Sequence, residues 1–288
     1  MRLDERVAIV TGAGQGLGRS HALYLAGKGA RLVVNDVDVH AAEAVQEAVI
    51  AAGGEAIACS GSVTDEASVQ SMVADALARW GRIDILVNNA GILRDRSFAK
   101  MSLDDFRQVM DVHLMGSVIC SKAVWDIMRA QSYGRIVMTT SSSGLFGNFG
   151  QANYGAAKMA LVGLMQTLAI EGARYGIRVN ALAPTAATSM TSGVLSEDQL
   201  AALDPALVSP ALLALVTESA PTRAILCAGA GHFARSNVTL TPGIRIGGGA
   251  WAGEAVMAHW RAVSDRDGEI VPECGLQQVE QETGLSPG

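Results

Sequence analysis

Val7-Ala8-Ile9-Val10-Thr11-Gly12-Ala13-Gly14-Gln15-Gly16-Leu17-Gly18 passes from an apolar run into a glycine cluster and then into a helical pattern. The run Val7–Thr11 has the length and β-branching of a buried strand, and Leu17 to Lys28 reads as a helix with Gly29 as its stop signal. Strand, glycine turn and helix in that order form the context a dinucleotide phosphate site requires. Glycines let the backbone turn tightly and approach a pyrophosphate, while the helix amino end offers free N–H groups and a positive dipole. Gly12, Gln15, Gly16, Leu17 and Gly18 are therefore the candidate phosphate-binding residues.

The same alternation continues outward from this motif. Arg31–Asn35 reads as a second strand and Val39–Ala52 as a helix closed by Gly53-Gly54, followed by a strand over Glu55–Ser60. Val69, Met72, Val73, Ala76, Leu77 and Trp80 recur at helical spacing, with Thr64 placed to cap the helix and Gly81 to end it. Ile83–Val87, Arg135–Thr140 and Arg178–Leu182 read as three more strands. Between them lie helical stretches at Leu103–Gln131, broken near Gly116, and at Gln151–Tyr175. The pattern predicts an α/β chain: one Rossmann-like, doubly wound parallel sheet of about seven strands, with helices on both faces and right-handed crossovers. A single domain over 1–288 accommodates it. Beyond Thr185 the pattern weakens into short apolar helices, a lid over about 185–225, and a glycine-rich stretch from Gly229 to Gly249. Residues 250–288 read as a C-terminal extension, compatible with a tail that packs on a neighbouring subunit.

Composition fits that architecture. Nearly half the 288 residues are apolar and 17% are charged, which suits a sheet covered on both faces. The net charge of −6 argues against nucleic acid or an anionic membrane as the main partner. Cys59, Cys120, Cys227 and Cys274 show no C-x-x-C spacing, so neither a metal site nor a disulfide framework is expected, and reduced thiols point to a cytoplasmic protein. No signal-peptide pattern or membrane-spanning run is apparent, and the carboxyl end does not read S-K-L.

Three further groups carry chemistry. Asp36 ends the second strand, eighteen positions after Gly18, where a carboxylate accepts hydrogen bonds from adenosine ribose hydroxyls and repels a 2′-phosphate. Position 15 is Gln, so no cation in the loop welcomes that phosphate, and both facts favour NAD over NADP. Tyr154 and Lys158 lie four apart in a helical stretch and share one face. A free phenol titrates near 10, so service as a base at neutral pH needs about 4 kcal/mol from its surroundings, which a neighbouring ammonium and a cationic nicotinamide can supply. Thirteen residues upstream, Thr139-Thr140-Ser141-Ser142-Ser143-Gly144 follows the fifth strand, and Ser141 is placed to hold a substrate oxygen beside the phenol.

Gly12–Gly18, Asn88-Asn89-Ala90-Gly91, Ser141 and the Tyr154–Lys158 pair together resemble the short-chain dehydrogenase/reductase family, from about residue 5 to about residue 190. The resemblance implies hydride transfer between a nicotinamide cofactor and a carbinol or carbonyl carbon. In it Tyr154 moves the hydroxyl proton, and Lys158 lowers the Tyr154 pKa and binds the nicotinamide ribose. Ser141 orients the substrate oxygen, and Asn89, Ala90 and Gly91 line the cofactor cleft. It also implies cofactor contacts at Val63, through its backbone because Ser62 replaces the usual Asp, and at Pro184 and Thr188. Where the family often has an asparagine, this chain has His113, which suits either a water-holding role beside Lys158 with titration near neutral pH or a structural place at a helix kink. Family members associate through the two long helices that flank the serine strand, so a homodimer or homotetramer is expected; Leu161, Met165 and Leu168 mark an apolar helix face.

Asn88–Phe98 and Gly147–Tyr154, with His113 and Asn35-Asp36, are similar to the (3R)-hydroxyacyl-CoA dehydrogenase unit of the type 2 peroxisomal multifunctional enzymes, also described as type 4 17β-hydroxysteroid dehydrogenases. That similarity implies NAD-dependent oxidation of a (3R)-3-hydroxyacyl-CoA, with a steroid alcohol as the alternative small-molecule substrate. The acidic net charge leaves room for a local basic patch to receive an anionic substrate such as a coenzyme A ester, and the apolar stretch from Met190 to Val216 fits a greasy substrate, core packing or a subunit contact. A non-catalytic NAD-binding protein is the alternative of another class, opposed by the presence of both Tyr154 and Lys158. Ketoacyl reduction with NADPH is opposed by Asp36 and Gln15.

Overall fold

A computed structural model describes residues 2–187 and 197–285. The chain forms two compact units, Met1–Arg235 and Ser236–Gly288. Strands β1 (Val7–Thr11), β2 (Arg31–Asp36), β3 (Ala56–Ser60), β4 (Ile85–Asn88), β5 (Gly134–Thr139), β6 (Ile177–Thr185) and β7 (Ile225–Gly229) pair in parallel in the order β3-β2-β1-β4-β5-β6-β7. β1, β4 and β5 are buried along their whole length, as the near-continuous apolar runs require. The sheet has one strand more than expected: β8 (His232–Ser236) lies beside β7. A two-residue turn at Ala230-Gly231, with φ of 48° and 73°, returns the chain, and that geometry favours a hairpin.

Alternation along each strand divides the core in two. Ala8 and Val10 face one way and pack with Ala22 and Leu25 of α1 (Gly16–Gly27) and Ala42 and Val45 of α2 (Val39–Ala51). Ile9 faces the other way, into a cluster with Val69 and Val73 of α3 (Glu66–Trp80). After α4 (Leu103–Met110) come α5 (Gly116–Gln131), a short α6 (Ser142–Phe146) and the 21-residue α7 (Ala152–Gly172). Leu161 and Met165 of α7 are buried in this second cluster, so they belong to the intrachain core; the exposed residues of α7 include Met159 and Ile170. The break expected near Gly116 is a π-helical turn at Asp111–Met115.

Two local expectations change. The cap of α3 is Asp65, whose Oδ1 accepts the Ala67 N–H at 3.1 Å, because the Thr64 hydroxyl is engaged by Ser62 Oγ at 2.8 Å. In the expected lid, residues 188–196 lie outside the described ones. The rest holds α8 (Glu197–Ala202) and α9 (Pro210–Val216), and Val208, Ala211, Leu212, Leu215 and Val216 are packed into the α1-side core. That half of the apolar stretch serves core packing.

The second unit holds an isolated antiparallel bridge, Leu240 with Ile270, and three short helices, Ala252–Ala258, Trp260–Val263 and Leu276–Thr283. Among the described residues no helix is long and apolar enough to cross a membrane.

Candidate functional site

The order of strands reverses between β1 and β4, and the chain's candidate residues gather at the carboxyl ends of the strands around that point. Gly12 has φ 60°, and a Cβ there would come within 2.8 Å of Ala90 Cα. A Cβ on Gly18 would overlap the Gly12 carbonyl and lie 2.6 Å from Asn89 Nδ2. These two glycines therefore serve the close packing of the loop on the end of β4 as much as the approach of a ligand. Thr11 Oγ1 accepts the N–H groups of Asn89 and Ala90 at 3.0 and 3.1 Å, and Asn89 Nδ2 donates to the carbonyls of Thr11 and Gly12 at 2.9 and 3.1 Å. Asn89 and Ala90 thus hold the glycine loop in shape.

Gln15 precedes α1 without a side-chain cap, and the first turn carries no acid. The donors that a capping side chain would take are left for an anion, which fits the pyrophosphate of a dinucleotide. Asp36 Oδ2 accepts the Gly14 N–H at 2.9 Å and Oδ1 accepts the Asp38 N–H at 3.1 Å, so the carboxylate is fixed against the glycine loop with lone pairs to spare. Gly16 and Leu17 open α1 beside it. Val63 is buried, and a Cβ on Gly116 would approach its side chain to 2.5 Å, so that side chain packs on the start of α5. Pro184, half-buried, lies near the end of β6, and Thr188 lies outside the described residues. A cleft of about 530 Å³ between α1 and residues 204–209 borders Gly16 and Arg19 but none of Ser141, Tyr154 and Lys158.

Ser141, Tyr154, Lys158 and His113 are brought together beyond β5. Ser141 caps α6, accepting the Ser143 N–H at 3.1 Å, and its hydroxyl lies close enough to the Tyr154 phenol to favour ionisation there. Lys158 Nζ lies 5.4 Å from the Tyr154 ring centroid and donates to the Thr139 carbonyl at 2.5 Å. Thr140 Oγ1 donates to the Lys158 carbonyl at 2.7 Å, tying α7 to the strand end. The His113 ring meets the Tyr154 ring edge-on, centroids 5.2 Å apart, with Nε2 2.8 Å from the Ile92 carbonyl and Nδ1 buried without a partner. Gly91 makes room for it, because a Cβ there would overlap the imidazole.

Burial dominates the electrostatics. It pushes the Tyr154 phenol above its ordinary value; the nearby Ser141 hydroxyl works against this, and the Asp95 carboxylate adds to it. It also pulls the Lys158 ammonium down to about 7. The expected acidification of Tyr154 by Lys158 is therefore not a property of the bare chain. His113 is pulled down to about 3, first by burial and then by Lys158. Titration near neutral pH is thus corrected to a neutral imidazole at the π-turn.

Sequence reasoning passed over Thr11, Asp95 and Asn153. Asn153 is fully buried, donates from Nδ2 to the Arg94 carbonyl at 3.0 Å and accepts the Tyr154 N–H at 2.7 Å. Its position next to Tyr154 was the one available signal.

A family model described as short chain dehydrogenase matches residues 6–199. Peroxisomal multifunctional enzyme type 2 of Drosophila melanogaster is 50% identical over 76% of this chain and 38% of its own length. The solved structure of the full-length enzyme from that fly aligns with a TM-score of 0.82 at 38% identity, covering 98% of this chain and 49% of the other. This chain thus spans at most about half of that relative. A short-chain type dehydrogenase/reductase of Mycobacterium tuberculosis is 44% identical over 92% of this chain and 96% of its own. A 7α-hydroxysteroid dehydrogenase complexed with NADH and 7-oxo glycochenodeoxycholic acid aligns with a TM-score of 0.74 at 30% identity, covering 80% of this chain and 95% of the other.

Proposed function

This chain belongs to the short-chain dehydrogenase family, and from that premise we propose that it oxidises the secondary alcohol of a (3R)-3-hydroxyacyl-CoA with NAD. The observation that carries the reading is the gathering of Ser141 and Lys158 around the Tyr154 phenol, with Lys158 Nζ 5.4 Å from its ring, in a chain whose glycine loop opens α1 without a side-chain cap. The substrate comes from the likeness to the multifunctional relatives, whose names say peroxisomal multifunctional enzyme.

In this reading the α1 amino end and Gly16–Gly18 hold the pyrophosphate, and Asp36 accepts the adenosine ribose hydroxyls and excludes a 2′-phosphate. Asn89, Ala90 and Gly91 line the ribose side, with Val63, Pro184 and Thr188 as further contacts. NAD supplies the hydride acceptor. Ser141 holds the alcohol oxygen, and Tyr154 takes its proton as the carbon–hydrogen bond breaks. Lys158, in its ammonium form, stabilises the phenolate. Neutral His113 fixes the Tyr154 ring by edge contact and the Ile92 backbone by its hydrogen bond.

The four free cysteines fit a reducing compartment, and we place the chain in the cytoplasm as a homodimer or homotetramer. The test is a panel of substrates with NAD and NADP followed by absorbance of the reduced cofactor. The expected result is turnover of (3R)-3-hydroxyacyl-CoA with NAD. Exclusive turnover of hydroxysteroids would support the second reading, which rests on the steroid-bound neighbour; NADP preference would overturn the role of Asp36.

A further inference from the structure

Between β4 and α4 the chain reads Leu93-Arg94-Asp95-Arg96-Ser97-Phe98-Ala99-Lys100, three cations against one acid in a molecule of net charge −6. The loop entering α7 clasps this segment. The Arg96 N–H donates to the Gly150 carbonyl at 2.9 Å, Gln151 Nε2 donates to Asp95 Oδ2 at 2.7 Å, and buried Asn153 holds the Arg94 carbonyl. The clasp lies beside the candidate proton-transfer group, because Asn153 also accepts the Tyr154 N–H and Asp95 is near enough to oppose ionisation of the phenol.

The side chains on this ledge differ in how far they are committed. Arg94 donates to Gln108 Oε1 at 3.1 Å and to the Leu93 carbonyl at 2.9 Å, and it faces Asp105 at 3.9 Å. Arg96 and Lys100 are exposed and make no side-chain hydrogen bond or ion pair with any described residue. On this ledge and the loop that clasps it, Phe98 and Phe149 stand in solvent at 77% and 90% exposure. Phe149 immediately precedes the glycine that accepts the Arg96 N–H. Backbone held by several hydrogen bonds, bearing uncommitted cations and bare aromatic rings, is a surface set for an amphipathic anion.

Resting on the hydroxyacyl-CoA reading above, we propose that Arg96 and Lys100 receive the phosphates of coenzyme A while Phe98 and Phe149 cover its pantetheine arm. The chemistry of the substrate requires such a place. The reacting hydroxyl carbon is two bonds from the thioester carbonyl, so the sulfur sits at the cleft and the pantetheine arm leads outward. The phosphates therefore come to rest at the rim. A guanidinium fork matches phosphate oxygens in a bidentate way, and a cation with no existing ion pair has none to break when the phosphate arrives. A steroid alcohol presents no such group.

The test compares two thioesters of the same 3-hydroxy acid, one to coenzyme A and one to N-acetylcysteamine, which keeps the sulfur and first amide but has no phosphate. For Arg96→Glu with Lys100→Glu, KM for the CoA thioester is expected to rise about tenfold or more with kcat within twofold. The loss is confined to that substrate. In the native protein added salt is expected to raise KM for the CoA thioester and not for the truncated one, a readout that needs no variant. Arg96→Gln gives a milder second variant with a smaller shift in the same direction. Equal handling of both thioesters by the native chain, or a variant that loses both alike, overturns this proposal alone. Failure of the native chain to oxidise either thioester overturns the substrate reading as well.

Discussion

Tyr154 and Lys158 face one another across 5.4 Å, yet burial drives both toward their neutral forms. Burial draws the Lys158 ammonium down to about 7, while its hydrogen bond to the Thr139 carbonyl suits a charged donor. A bound nicotinamide in its cationic form would add a field that favours the phenolate, so in the proposed reading proton removal depends on cofactor occupancy. Replacing Tyr154 with Phe removes the hydroxyl and keeps the ring against His113. The expected result is a fall in kcat of about 10²–10⁴-fold with NADH affinity, read by fluorescence titration, changed by less than twofold. Retention of turnover would assign the proton to another group. At this scale, residue types at fixed spacing were legible as a neighbourhood: Lys158 Nζ lies 5.4 Å from the Tyr154 ring, with Ser141 near the phenol. What spacing does not reveal is burial. His113 could not be known to be neutral, nor Asn153 to be fully enclosed, until the packing around them was defined.

Helices and strands here are joined by contacts that tolerate no side chain. Gly18 lies in the first turn of α1, where the Gly12 carbonyl and Asn89 Nδ2 occupy the space of a Cβ. Gly18→Ala must push α1 away from β4 or disturb the Thr11–Asn89 bonds that shape the phosphate loop. NADH binding is expected to weaken at least tenfold, with destabilisation of about 1–3 kcal/mol from overpacking, measured by chemical denaturation. Unchanged affinity would mean that the loop relaxes without cost. Element type and order were readable because periodicity reports which side of an element is buried. The cap of α3 was misplaced by one residue because Thr64 and Asp65 are both good caps, and only the competing Ser62 hydroxyl decides between them. The hairpin of β7 and β8 escaped because its turn, Ala230-Gly231, lacks the usual Asn or Asp.

For the whole molecule, alternating strands and helices were enough to give a parallel sheet covered on both faces, since few other arrangements bury so many apolar strands. The fold then sets an acid limit through two enclosed imidazoles. His113 and His21 are each buried and pulled down to about 3, His21 by burial alone while its Nδ1 bonds Ser209 Oγ at 2.9 Å. The other three histidines are exposed. Between pH 6.5 and 3 the unfolded chain therefore binds protons at these two positions that the folded chain does not, and stability rises with pH across that window. It is fully present above 6.5 and is lost as the pH falls toward 3. Each imidazole contributes a slope of about 1.4 kcal/mol per pH unit once its unfolded form is fully protonated. The carboxylates held low, such as Glu55, Asp65 and Glu269, have ordinary values of 3.8 to 4.5 and add their own loss mainly below that range. Denaturation free energies between pH 6.5 and 4.5 therefore read chiefly the histidines, with Lys158 adding only at the upper end of the window. The expected result is a steep decline on acidification whose slope is about halved by His21→Leu, a change that leaves Ser209 bonded to Ser20. A native profile flat over those two pH units would show that the imidazoles take up protons in place, and would remove the ground for a neutral His113 beside Tyr154.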